Sequence, residues 1–265
     1  MKGPISLDHK IGHLRALLVE LKSVAVAFSG GIDSTVLLDN ACKVLPPGKV
    51  LACNVDSCLV ARSGQALADK VLATHFAGRC GVLRIKEDSE KISGFKENPP
   101  ERCYICKLHI YTSILKAIKD EQVVLLDGTN SDDMMQDRPG IRAVREKNIK
   151  TPLEQCGLTK KEIRAYGRSR NLINADVPSN SCLATRIPPG IEINNGILGT
   201  IEAAEEFLLQ QGFKGSRVRM GDGHTIIELS ECDIERMLAS DKRRATVEYC
   251  EKYNLGVPSL KLRGR

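Results

Sequence analysis

Apolar positions along the chain alternate between two periods. From His9 to Leu21 they recur at helical spacing, with Ile11, Leu14, Leu17, Leu18 and Leu21 on one stripe. The next run, Val24 to Phe28, is continuously apolar, as befits a strand buried on both faces. A helix is predicted over Thr35 to Leu45, stopped by Pro46-Pro47-Gly48, and a second apolar strand over Lys49 to Val55. Leu59 to Ala77 reads as helix, Gly81 to Ile85 as strand, Glu101 to Lys119 as helix and Val123 to Leu126 as strand. Strands and helices that alternate in this way predict an α/β fold built on a doubly wound parallel sheet.

The texture then changes. A short helix is predicted near Ile141 to Lys147, a basic helix over Thr159 to Arg170, and a proline-rich loop from Asp176 to Gly190. Beyond it the pattern is helix Asn195 to Gln211, strands Ser216 to Met220 and Thr225 to Leu229 joined at Gly221-Asp222-Gly223, and helix Asp233 to Tyr253. We read this as a small C-terminal α+β domain, with domains 1–188 and 189–265.

Between the first strand and its helix lies Ser29-Gly30-Gly31-Ile32-Asp33-Ser34. Paired glycines permit a sharp turn and a close backbone approach. Amides at a helix start point toward an anion. Ser29 and Ser34 add hydroxyl donors, and Asp33 is placed to hold Mg²⁺ on a phosphate. The Walker pattern is absent, so this is a different phosphate loop; a tight turn without a ligand is the plain alternative. Asp56 ends the second strand, at the sheet edge where open α/β folds meet ligands. Asp127 to Asp133 (DGTNSDD) follows the fourth strand. There Gly128 permits close approach to a nucleotide, and Asp132 and Asp133 are candidate Mg²⁺ ligands or orienters of a nucleophile, or a solvated turn.

Cys103 and Cys106, in PPERCYICK, share one face of a helix start. The helix dipole, Arg102 and Lys107 favour thiolate there. A redox disulfide, zinc, an iron–sulfur cluster and two core cysteines all remain open. Zinc shared with His109 is disfavoured, because Cys103 and His109 lie about 9 Å apart along a helix. Cys182 and Arg186 sit in PSNSCLATR, either as a site that covers a ligand or as an ordinary loop. Arg217 and Arg219 alternate about Val218, placing both guanidiniums on one side of a strand to bind phosphate or to face solvent.

Composition narrows the partners. The chain has 265 residues, a net charge of +6, ten Cys, and 4% aromatic residues with no Trp. A basic balance suits an anionic nucleotide; few aromatics argue against a base-stacking nucleic-acid platform. No apolar run is long enough to span a membrane, and MKGPISLDHK lacks the apolar region of a secretion signal, so a cytoplasmic protein is expected.

SGGIDS resembles the PP-loop of the ATP pyrophosphatase (adenine nucleotide alpha-hydrolase-like) superfamily, which splits ATP between its α and β phosphates. In order, SGGIDS, PPERCYICK, DGTNSDDMMQDRPGIRA, TPL and PSNSCLATRIPPG closely resemble the LarE sulfur transferases over nearly the whole chain. The resemblance implies ATP-dependent adenylation of a carboxylate on a pyridinium mononucleotide, followed by replacement of its oxygen by sulfur, in nickel-pincer cofactor biosynthesis. It implies ATP, Mg²⁺ and a small-molecule nucleotide substrate, a sulfide donor, and a homo-oligomer, hexameric in relatives. One branch of the family sacrifices the sulfur of a single cysteine at the position of Cys182. The other holds a [4Fe-4S] cluster on cysteines matching Cys103, Cys106 and Cys182, all three of which stand here. A tRNA-thiolating PP-loop enzyme and a non-catalytic nucleotide-binding protein with a structural metal are the rival readings. The first lacks a recognisable RNA-binding appendage in this chain.

Overall fold

Val24–Ala27 forms β1, the centre of a parallel sheet, in a computed structural model that describes residues 5–135, 139–179, 181–220 and 223–264. β2 (Val50–Asp56) and β4 (Val124–Leu126) flank β1, and β3 (Gly81–Lys86) lies outside β2, in the order β3-β2-β1-β4. All three pairings are parallel.

Side chains along β1 alternate between two cores, as the pleat requires. Val24 and Val26 enter a cluster with Leu14 and Leu18 of α1 (Leu7–Leu21) and Val36, Leu37 and Leu38 of α2 (Ile32–Val44). Ala25 faces the other way, toward Tyr111 and Ile114 of α4 (Arg102–Ala117) and Ala143 and Val144 of α6 (Pro139–Glu146). Helices therefore cover both faces, which is the doubly wound α/β arrangement. α3 (Arg62–Val71) continues into a π-helical turn, Leu72–Phe76. α5 (Ser131–Met134), α7 (Pro152–Gln155) and α8 (Lys160–Ser169) complete this part.

The chain divides into two compact units. One comprises Met1–Ser57, Arg62–Asp88 and Glu101–Ser179; the other comprises Cys58–Ala61, Ser89–Pro100 and Asn180–Arg265. The second holds α9 (Asn195–Gln210), β5 (Arg217–Met220), β6 (His224–Glu228), α10 (Glu231–Leu238), α11 (Ser240–Lys252) and β7 (Val257–Leu260). Its sheet runs β5-β6-β7, antiparallel then parallel. Val218 and Ile227 pack with Leu208, Phe213, Met237 and Cys250 beneath it. Asn98 ties the 89–100 segment in: its amide donates to the carbonyls of Pro188 (2.6 Å) and Ile191 (2.9 Å).

Three elements depart from the sequence expectation. The helix expected over Asp233 to Tyr253 is two helices, because Ala239 between them is extended (φ −57°, ψ 139°). β7 lies beyond the last element expected from the sequence; its Pro258 lacks an amide donor, which an edge strand tolerates. The helix expected from Leu59 starts at Arg62. The turn positions Gly221 and Asp222 lie outside the described residues. Among the described residues, no helix is long and apolar enough to cross a membrane.

Candidate functional site

The first unit gathers its polar side chains where β1 hands over to α2. Gly30 has φ +75°, and a Cβ there would lie 2.6 Å from the Cβ of Ala68 on α3. The loop is thus pressed against α3 in a conformation that only glycine takes easily. Buried Asn174 donates to the Gly30 carbonyl and to the Thr35 hydroxyl, both at 2.8 Å, and fixes the turn from below. Ser34 Oγ donates to the Gly31 carbonyl (3.0 Å) and accepts from the Ser29 amide (3.3 Å). Ser29 and Gly31 are exposed. Gly31 occupies the N-cap of α2 and offers no side-chain cap, so the first amides of this 13-residue helix keep the electropositive character of an uncapped N-terminus.

Two more segments meet this terminus. A Cβ on Gly128 would lie 3.0 Å from the Ser34 nitrogen and 3.4 Å from the Asp33 Cβ. The close approach that Gly128 permits is therefore to the start of α2. Asn130 caps α5 in a reciprocal box with Asp133 and donates to Asp33 Oδ1 at 3.2 Å. Lys160, the first residue of α8, forms an ion pair with Asp33, while its backbone amide donates to Asp132 Oδ2 at 2.8 Å. Asp33, Gly128, Asn130, Asp132 and Lys160 thus form one cluster around the loop. Asp56 stands exposed at the end of β2.

Asn130, Lys160 and Asn174 were not singled out in the sequence. Thr159 and Glu162 form a capping box that starts α8, and that T-x-x-E pattern would have placed Lys160 at a helix start.

Cys103 and Cys106 lie in the first turns of α4, Cys103 exposed and Cys106 half-buried. The ten cysteines, all described, form no disulfide. A pair of reduced thiols on one helical face is donor chemistry suited to an iron–sulfur group. Within the first unit, among the described residues, no third Cys, His, Asp or Glu joins them as a metal-binding group. His109 instead meets Glu87, 2.7 Å away. Lys107 lies 3.7 Å from Asp127, which also accepts from the Tyr111 hydroxyl at 2.6 Å and the Thr129 amide at 2.8 Å. Burial works against the Asp127 charge, but the Lys107 ammonium and the Thr129 and Tyr111 donors outweigh it and hold the carboxyl below its ordinary value. α4 is thereby tied to the loop that carries Gly128.

In the second unit Cys182 precedes a short 3₁₀ turn, Leu183–Arg186. Arg186 is 1% exposed and makes a forked pair with Glu205 (2.7 and 3.1 Å). Its remaining nitrogen donates to the carbonyls of Ser181 (3.1 Å) and Cys182 (3.3 Å). The guanidinium therefore holds the backbone that presents Cys182. Arg219 donates to the Thr185 carbonyl at 2.6 Å and pairs with Glu228 at 2.9 Å. Arg217 and Arg219 flank buried Val218 on β5 and are each partly exposed.

No family model matches the chain. A protein of Synechocystis described only as uncharacterized is 28% identical over 259 residues, 97% of this chain and 95% of its own length. A likewise uncharacterized protein of Methanocaldococcus jannaschii is 30% identical over 225 residues, 82% of this chain and 81% of its own. The pyridinium-3,5-bisthiocarboxylic acid mononucleotide synthase of Lactiplantibacillus plantarum is 29% identical over 239 residues, 90% of this chain and 86% of its own. Similarity of this extent, joined to the parallel sheet and its glycine loop, identifies the lineage: the chain belongs to the LarE family.

Proposed function

We propose that this protein is an ATP-dependent sulfur transferase that acts on a carboxylate of a pyridinium mononucleotide, in the biosynthesis of a nickel-pincer cofactor. The observation that carries this reading is the uncapped N-terminus of α2, ringed by Ser29, Ser34, Asn130 and Lys160. The amides of an uncapped helix start, with hydroxyls and an ammonium beside them, suit a polyphosphate. The named synthase among the relatives supports the choice of substrate.

In this scheme Asp33 exchanges Lys160 for Mg²⁺ when ATP arrives, and Lys160 turns to the phosphates. The substrate carboxylate attacks the α-phosphorus, pyrophosphate leaves, and an acyl-adenylate forms. Adenylation turns a poor leaving oxygen into a good one. Sulfide then attacks the acyl carbon and AMP departs, leaving a thiocarboxylate. Arg217 and Arg219 are proposed to hold a phosphate of substrate or nucleotide, and Asp56, Gly128 and Asp132 to border the nucleotide.

The thiols fit the three-cysteine branch. Cys103, Cys106 and Cys182 are the proposed ligands of a [4Fe-4S] cluster, which when bound would supply the transferable sulfide. Three protein ligands leave one iron open. Arg186 acts by holding the Ser181–Cys182 carbonyls, so that the Cys182 thiol is presented by a rigid backbone.

The test is pyrophosphate release from ATP·Mg²⁺ in the presence of the pyridinium biscarboxylate mononucleotide. Wild-type protein is expected to release pyrophosphate only with that substrate present, and a folded Asp33→Asn variant to release none. Unchanged release by the variant would overturn the loop assignment. Iron and acid-labile sulfide are assayed on protein purified without oxygen, and Cys182 is weighed after turnover. Retained cysteine supports the cluster branch. Dehydroalanine, lighter by one H₂S, assigns a sacrificed donor instead and leaves the adenylation step standing.

A further inference from the structure

Two peptide groups in SGGIDS have their carbonyls turned into the protein. The Gly30 carbonyl accepts from Asn174 Nδ2 at 2.8 Å. The Gly31 carbonyl accepts from the Thr35 hydroxyl (2.9 Å), the Ser34 hydroxyl (3.0 Å) and the Thr35 amide (3.1 Å). The Thr35 hydroxyl is itself held by Asn174, whose second Nδ2 proton it accepts at 2.8 Å. Asn174 and Thr35 are both buried. One side chain therefore holds one carbonyl directly and the next through a single relay.

We propose that Asn174 is a positioning residue for phosphate binding, one that turns the Gly30–Gly31 and Gly31–Ile32 peptides so that their amides face the anion. The role rests on the reading of SGGIDS as a phosphate loop. In a trans peptide the C=O and N–H point in opposite directions, and neither of these bonds is cis. A Gly30 carbonyl drawn to Asn174 therefore sends the Gly31 amide the other way. There its partner is the hydroxyl of exposed Ser29 at 3.3 Å, a place that a phosphate oxygen can take. The Gly31 carbonyl, drawn toward Thr35, likewise sends the Ile32 amide away from it. Ile32 is the first residue of α2. Glycine makes such a hold necessary, because without a Cβ the flanking peptides turn over at little steric cost. A flipped Gly30–Gly31 peptide would offer the anion a carbonyl oxygen in place of an amide.

The asparagine is used for its donors. Its Oδ1 is buried and has no hydrogen-bond partner among the described residues. Turning the amide over would set that oxygen against the Gly30 carbonyl, acceptor against acceptor. The backbone that delivers Asn174 is anchored on both sides. Arg164 donates to the carbonyls of Ala175 (2.7 Å) and Val177 (3.0 Å), and the Ile173 amide donates to His75 Nε2 at 3.2 Å.

The experiment compares the full wild-type chain with Asn174→Asp, which keeps the shape and removes both donors. Binding of inorganic pyrophosphate and of ATP·Mg²⁺ is measured by calorimetry, with folding checked by circular dichroism. The folded variant should bind both about tenfold more weakly or worse. In protein carrying isotope-labelled glycine, the Gly31 amide resonance, assigned with Gly31→Ala, should move when pyrophosphate is added to wild type and stay in place in the variant. A merely structural asparagine would lower the melting temperature and leave both readouts unchanged. Thr35→Val breaks the relay but spares the Gly30 contact, so its loss should be smaller and in the same direction. It carries the test if Asn174→Asp does not fold. Wild-type affinity in the folded variant overturns the positioning role and leaves the phosphate loop standing. Failure of the wild type to bind either ligand removes the phosphate loop and this role with it.

Discussion

Gly30 is constrained twice, by its φ of +75° and by Ala68, which leaves no room for a Cβ. Left-handed backbone costs a non-glycine residue about 1–2 kcal/mol, and the clash adds to that. Gly30→Ala is expected to lose about 2–4 kcal/mol in urea unfolding and to lose nucleotide binding with it. Wild-type stability in that variant would mean that α3 can retreat. The paired glycines were legible in the sequence, but the need at Gly30 to clear Ala68 was not, because Ala68 lies on another helix. Arg186 makes the complementary point. In the sequence it stood with Cys182 in a loop that either covers a ligand or is ordinary; in the structure its guanidinium is engaged by Glu205 and by the Ser181 and Cys182 carbonyls. A buried arginine of this kind gives the neighbouring thiol a fixed position.

Elements gain their function from how they end. α2 begins without a side-chain cap, whereas α5 and α8, beside it, are closed by full capping boxes. The uncapped one is the helix whose first turn carries the loop. In the second unit the pairing of β5 with β6 sets up a different balance. Glu228 sits between Arg219 and Lys261, both at 2.9 Å. Burial alone would raise its carboxyl, but the two cationic donors outweigh this and lower it from 4.5 to about 2. A depressed carboxylate stabilises the folded state above its unfolded value, and that contribution is lost as pH falls through the folded one. The second unit should therefore lose about 2–3 kcal/mol as pH falls from roughly 5 to 2. Glu228→Gln should flatten that slope in acid titrations followed by circular dichroism; an unchanged slope would move the effect to another carboxylate.

At the scale of the whole molecule, the candidate nucleotide site is drawn from residues more than 120 positions apart: Asp33 and Lys160 are separated by 127. A ligand that engages both binds only the folded chain. At 100 times its dissociation constant, ATP·Mg²⁺ would add about 2.7 kcal/mol. The melting transition of the first unit should rise by several degrees with ATP·Mg²⁺, less with ATP alone, and not at all in Asp33→Asn. A shift retained in that variant would place the nucleotide elsewhere.

The sequence by itself determined what local order can encode. The alternation of apolar strand and amphipathic helix settled the α/β class, and the contiguous SGGIDS marked the turn that opens α2, since strand, turn and helix start follow one another without a break. Tertiary structure decided what depends on distant partners. It brought Lys160 and Asn130 to Asp33 and placed Asn174 beneath Gly30. It also drew 58–61 and 89–100 into the second unit. Lys160 was one cation among several on a basic helix, and nothing in the pattern of a helix says which lysine will meet a carboxylate 127 residues away. Pro258 stands in an edge strand, where its missing amide goes unneeded, and that edge position is set only by the pairing of β7 with β6. Period and turn chemistry act between neighbours along the chain and can be read from it; pairing across the fold is chosen only when the chain packs.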